Sequence, residues 1–261
     1  MAIVDWINPA TCFDEIMLVA AAGAPNTGTP AGDGSAYTPS LVFGTGTALG
    51  NGFVLYKGLA GPQTVTALTN GSTYYFKLFT RMGSSWSMGT EITAIPVPIS
   101  AVSDHFRSAV VNGNWDQPAS WESSPNGITN WIPATLAPHS GAGIITIRSG
   151  DTIHIINSLT IDQVVVEPGS SLVLSAGIVL ADGTGAADLE VNGSLINSAG
   201  THSYSGTVVF HAGSIYQHNR NAGTVPPASW HSSSNCVFTG ITSTAPGGLA
   251  QLFGNVQWDC A

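Results

Sequence analysis

The sequence predicts an all-β chain of two successive modules, a small β-sandwich and then a right-handed parallel β-solenoid. Three observations carry this. Helical periodicity is nearly absent, whereas short runs with period-two alternation recur between clusters of Gly, Pro, Asn and Ser. The stretch PVPIS, residues 96–100, reads as a stiff divider, because each proline fixes φ and removes a backbone donor. Beyond it, a glycine followed by small polar residues and an alternating apolar triplet returns at Gly150, Gly169, Gly193 and Gly213, separated by 19, 24 and 20 residues. The expected organisation is a sandwich over 1–97, a linker over 98–102 and a capped solenoid over 103–261, ending in mid-pattern as part of a longer polypeptide.

Composition narrows the class. Only 8% of the 261 residues are charged, against roughly 25% in an average soluble domain. The longest apolar candidate, residues 15–24, is well short of the about 18 residues a spanning helix needs, so no membrane insertion is expected. A net charge of −9 with six Lys plus Arg cannot neutralise a run of phosphates, which argues against nucleic acid and anionic membranes. No secretory leader is read at the start.

In the first module, strands are expected over 3–7, 15–20, 53–57, 63–68, 73–80 and 91–95. Tyr74, Phe76 and Leu78 fall on one strand face, with the Tyr74 hydroxyl free to reach back to the preceding turn, so these aromatics read as core. A segment from Gly23 to Gly52, with eight glycines and three prolines, interrupts the strands and reads as an ordered surface loop; its lone Asp33 is too little for a calcium loop.

"WINP" at Trp6 and Pro9, together with Leu68, Gly71, Tyr74, Phe76 and Leu78 in an L-x-x-G-x-x-Y-x-F-x-[VL] pattern, resembles a fibronectin type III domain. The resemblance implies a sandwich whose first strand is missing, very short or replaced, with Tyr74 in the role of a tyrosine corner.

In the second module the repeat needs stacked coils, since one coil cannot bury its own apolar face. Inward positions are expected at Ile153, Ile155, Leu172, Leu174, Leu195, Ile215, Val237 and Val256, with Trp115, Trp121 and Trp131 as a lid over the exposed cross-section. Cys236 and Cys260, 24 residues apart, lie within the range of the repeat and so admit a disulfide between neighbouring coils; the competing reading is two separate inward-facing thiols. Cys12 is expected to be a buried free thiol in the sandwich.

Chemistry is sparse. Asp151, Glu167 and Glu190 do not align as a carboxylate ladder on the repeat, and no catalytic residues are assigned. His202, His211 and His218 lack metal-ligand spacing and read as exposed polar residues; no metal or cofactor is expected. Sugars stack on exposed aromatics, which makes Tyr204, Tyr216 and Trp230 the candidate glycan contacts, although packing competes for all three.

Trp115, Pro118 and Trp121 (G-x-W-x-x-P-x-x-W), followed by Thr146, Ile147, Gly150, Thr152 and Ile153 (T-I-x-x-G-x-T-[IV]), resemble a β-solenoid module of modular secreted bacterial proteins. That resemblance implies an extracellular or cell-surface location, export by the type IX secretion machinery, and neighbours that include adhesins and hydrolases. The expectation is a non-catalytic structural or adhesive segment whose partners are surface glycans or other cell-surface proteins. The alternative is a carbohydrate-binding accessory module of a secreted polysaccharide-degrading enzyme.

Overall fold

The computed structural model describes residues 1–10, 12–183 and 187–260. Among these, the one helical segment is a 3-10 turn, Pro118–Ser120; everything else regular is strand. The chain forms two compact units, Met1–Pro98 and Ile99–Ala261.

The first unit contains β1 (Ala2–Val4), β2 (Glu15–Ala22), β3 (Ala48–Leu49), β4 (Gly52–Gly58), β5 (Gln63–Val65), β6 (Tyr74–Met82), β7 (Ser85–Trp86) and β8 (Thr90–Ala94). The main sheet runs β3-β4-β2-β6, with β7 and β8 both on β6, and β1 pairs with β5 apart from it; every pairing is antiparallel. β2 reads EIMLVAAA, a continuous apolar run, because both faces of the sheet are covered. On one face Leu18, Ala20, Tyr74 and Phe76 meet Val4, Leu55 and Val65. On the other, Met17, Val19, Val54 and Phe79 lie under Leu49, Tyr37 and Trp86.

The glycine-rich segment is therefore a wrapper over the second face. Asn26 Nδ2 donates to the Leu49 carbonyl at 2.9 Å, and Trp86 Nε1 donates to the Gly32 carbonyl at 2.8 Å. Lys57 Nζ donates to the Gly34 carbonyl at 2.5 Å. The Asp33 carboxylate is spent locally on the Ser35 N–H and hydroxyl. At the turn before β6, the Thr69 N–H donates to Tyr74 Oη at 2.9 Å while the ring is buried, which is the geometry expected of that tyrosine.

Two expectations are corrected in this unit. The opening strand stops at Val4: Asp5 Oδ1 takes the Trp6 N–H, Asn8 takes the Trp6 indole N–H, and Ile7 is 96% exposed. Cys12 is exposed at a positive φ rather than buried. The division between the units falls at Pro98 and Ile99, and the Ser100 hydroxyl accepts from Ser123 Oγ and the Thr135 N–H of the second unit.

The second unit is a parallel β-solenoid of about six turns with three faces. One face stacks Thr152–Ile155, Ser171–Leu174, Ser194–Asn197, Ile215–His218, Asn235–Phe238 and Asn255–Trp258. A second begins at His105–Ser108 and continues through Ile145–Ile147, Val164–Val166, Leu189–Val191, Val208–Phe210 and Ser229–Trp230. The third has Leu159–Ile161, Ile178–Leu180 and Ser203–Tyr204. Thr152, Ser171, Ser194, Ile215, Asn235 and Asn255 pair in succession, so the coils are 19, 23, 21, 20 and 20 residues long.

The residue before each of these is a corner. At Ser170, Ser214 and Ser234 the hydroxyl donates back to the carbonyl three residues earlier at 2.7 Å, and the amide does the same, so polar groups at the bend are satisfied within it. Gly193 holds this corner position, not that of Gly169 and Gly213; a Cβ there would lie 2.3 Å from the Glu167 carbonyl oxygen. An alignment on the glycines thus slips by one residue, and a one-residue slip exchanges inside for outside. Ile153, Ile155, Leu172, Leu174 and Leu195 are buried as expected, but the inward residues opposite Leu195 are Tyr216 and Cys236. Ile215, 37% exposed, and Val237 face outward. Val256 has the inward register but is 56% exposed, because no described strand stacks beyond it.

The lid is built from the two tryptophans. Trp115 and Trp121 are buried, edge to face, with centroids 5.0 Å apart. Their indole N–H groups donate to the carbonyls of Pro138 and Trp115, both at 2.9 Å. Trp131 is only half-buried and lies outside this pair.

Candidate functional site

The second face opens with a hairpin, Trp121–Ser124 against His105–Ser108, which the parallel strand Ile145–Ile147 joins on the other side. Alternation sends Phe106 and Ser108 inward and leaves His105 and Arg107 outside. Glu122 pairs directly opposite Arg107, and Arg107 Nε lies 2.7 Å from Glu122 Oε2. Trp131 receives the guanidinium on its face, 4.1 Å from ring centroid to Arg107 Cζ. Arg148 stands 4.0 Å from the same Glu122 oxygen and 3.9 Å from Asp151.

His105, Arg107, Trp131 and Arg148 line a groove of about 390 Å³ with Asn126, Ile128, Ile144 and Glu167. Its rim is stiff. Asn126 Oδ1 accepts the amides of Ile128 and Thr129 at 3.0 and 2.9 Å, and the His105 ring, fixed by the Ile144 N–H on Nδ1 at 3.0 Å, sits against Gly127 and Gly143, where any Cβ would come within 3 Å of it. Arg107 and Arg148 both face the Glu122 carboxylate, while Glu167 Oε2 accepts the Ser149 N–H at 2.9 Å. The groove therefore offers a half-buried indole edged by guanidinium, imidazole, amide and carboxylate groups, the combination that holds a polar ligand with flat apolar faces.

The expected aromatics lie elsewhere. Tyr216 is fully buried, Tyr204 has a buried hydroxyl and packs on the core, and Trp230 is stacked on Phe210 at 4.1 Å and 8°, with its indole N–H on Gln251 Oε1. Tyr216 thus lies in the lumen, and the half-buried Tyr204 and Trp230 pack against the core. The cysteines are both free. Cys236 points inward opposite Val256, four residues short of Cys260, and burial pushes its thiol up to about 12. The 20-residue length of the last coil, rather than 24, separates the two; the Cys260 thiol donates to the Phe238 carbonyl at 3.3 Å instead.

The histidines are a further correction. His211 is at the surface, with Nε2 3.3 Å from Glu190 Oε2, but His218 is fully buried and His202 half-buried. They end a one-way chain of hydrogen bonds in the lumen. The Ile178 N–H donates to His202 Nδ1 (3.3 Å), His202 Nε2 to Asn197 Oδ1 (3.0 Å), Asn197 Nδ2 to Tyr216 Oη (3.1 Å), Tyr216 Oη to His218 Nδ1 (2.9 Å) and His218 Nε2 to the Ala222 carbonyl (2.7 Å). Each donor finds an acceptor only when both imidazoles are neutral. Burial first, then the nearby Arg220 charge, holds both below the usual histidine range.

Fold and surface together define an all-β chain with a parallel β-solenoid that carries a charged-aromatic groove on its opening coils. Searches of protein-family models, curated proteins and solved structures find no match to it. Among the described residues no helix is long and apolar enough to cross a membrane.

Proposed function

We propose that this chain is a non-catalytic structural and adhesive segment of a larger secreted or cell-surface bacterial protein, with a right-handed solenoid as rigid spacer and the Trp131 groove as contact point. The carrying observation is that both guanidinium groups of the groove, Arg107 and Arg148, are paired with the neighbouring Glu122 and Asp151, which supports a surface for contact rather than a poised acid or base. The parallel crossovers support the right hand, which nearly all such connections share. A fibronectin type III-like reading of the first unit is supported by the β3-β4-β2-β6-β8 order and the Tyr74 hydroxyl contact. Extracellular location and the type IX route rest on the sequence resemblance alone.

A second reading, a carbohydrate-binding accessory module, is favoured by the half-buried indole of Trp131 in that same groove. Glycan-array binding of wild type and Trp131→Ala tests both. Adhesion through glycans requires binding that the variant loses; binding to host or bacterial surface proteins without any glycan signal supports the spacer-adhesin reading, and hydrolysis of any arrayed glycan overturns both.

A further inference from the structure

At the corner between the third and second faces, two carboxylates from successive coils are buried together. Asp162 is 6% exposed and Asp188 2% exposed. Asp188 is held by two amides, the Gly183 N–H on Oδ1 at 3.3 Å and the Thr207 N–H on Oδ2 at 2.6 Å. Asp162 Oδ1 is buried with no hydrogen-bond partner. The chain has made room for this pair: a Cβ on Gly183 would lie 1.8 Å from Asp162 Oδ2, and one on Gly206 would lie 2.6 Å from Asp188 Oδ2 and 2.1 Å from the Ala181 carbonyl oxygen.

Two carboxylates in contact in a dry corner repel each other unless something positive stands between them. No side chain supplies it. The only basic Lys or Arg residues after Pro98 are Arg107, Arg148 and Arg220, and they are taken by Glu122, by Glu122 and Asp151, and by the Gly200 carbonyl.

We propose that Asp162 and Asp188 hold a hard divalent cation of calcium's size at this corner, clamping two coils together. The donors are all oxygens, which selects calcium over zinc or copper, and a corner built from irregular backbone suits calcium's loose geometry better than magnesium's octahedron. Among the described residues no three His, Cys, Asp or Glu side chains stand together as a metal set, so the side-chain ligands are these two aspartates and the remaining oxygens come from main-chain carbonyls, such as that of Ala181, and water. The inference is independent of the adhesive reading.

Isothermal calorimetry and thermal unfolding of the whole chain at about pH 7.5, after chelator treatment, test it with calcium chloride and magnesium chloride. The expected result is one calcium per chain with Kd of roughly 10⁻⁴ to 10⁻³ M, weaker magnesium binding, and a saturable rise in melting temperature. Asp162→Asn and Asp188→Asn lose both signals, whereas Glu190→Gln, a surface acid, keeps them. Absence of calcium heat in the wild type overturns the proposal, and so does calcium binding that survives Asp162→Asn. A wild type indifferent to calcium but stabilised on acidification identifies the pair as sharing a proton instead. Should Asp162→Asn not fold, the wild-type stoichiometry and the Asp188→Asn result decide.

Discussion

Trp115 and Trp121 close the first cross-section of the solenoid, so truncation opens the core directly to water. Either change to Ala is expected to cost about 3–5 kcal/mol, read as a lower urea midpoint. Tyr216→Phe removes one hydroxyl but orphans Asn197 Nδ2 and His218 Nδ1 together, and is expected to cost about 1–3 kcal/mol in the same measurement. The histidines give the chain an acid limb. Because the folded state holds His202 and His218 below their ordinary value, the unfolded chain binds more protons below about pH 6.5; stability is full above that pH and falls as pH drops through the window beneath it. Asp162, raised in the fold, titrates with the opposite sign, so the histidine contribution is read as the difference between wild type and His202→Gln, whose acid limb is shallower. Thiol labelling checks the cysteines: Cys12 reacts in the native protein, Cys236 only after unfolding, and no mass difference appears on reduction.

At the scale of the element, the corner decides the coil. Gly193→Ala places a methyl against two carbonyls and is expected to lower the melting temperature by several degrees, whereas Ile215→Thr, on the outer face, changes stability by less than about 0.5 kcal/mol. The alternation over 152–155 and 171–174 was legible because each strand has one wet and one dry face, which writes the period into the sequence. The inside-outside exchange at Ile215 arises where glycine serves two different corner positions, whereas the corner before Val237 is made by Ser234 and no glycine marks the register there. Strands of the third face, three residues or fewer, are too short to write any period. The groove was illegible for another reason: Arg107, Glu122, Trp131 and Arg148 meet only through an antiparallel hairpin docking on a parallel sheet, and no local spacing encodes that. The lumen's hydrogen-bond chain hid behind residue types that are usually exposed, and Asp162 and Asp188 sit in coils aligned on their glycines rather than on their acids.

Across the whole molecule, nearest-neighbour stacking means that each coil of the solenoid is as stable as its contacts on either side. Hydrogen exchange is expected to grade along it, slowest beneath the Trp115–Trp121 lid and fastest at Asn255–Trp258, where Val256 and Trp258 are more than half exposed; uniform protection would contradict a one-dimensional stack. The wrapper on the first unit predicts a contrasting behaviour for a glycine-rich segment: residues 24–50 resist proteolysis because Asn26, Tyr37 and Trp86 tie them to a covered sheet face. That last strand, Asn255–Trp258, also presents an unpaired row of amides and carbonyls beside bare apolar side chains. To a second copy of this chain that edge is a template, and since the lid closes the opposite end, pairing through it stops at two chains; Val256→Lys is expected to abolish any such concentration-dependent dimer, read by light scattering.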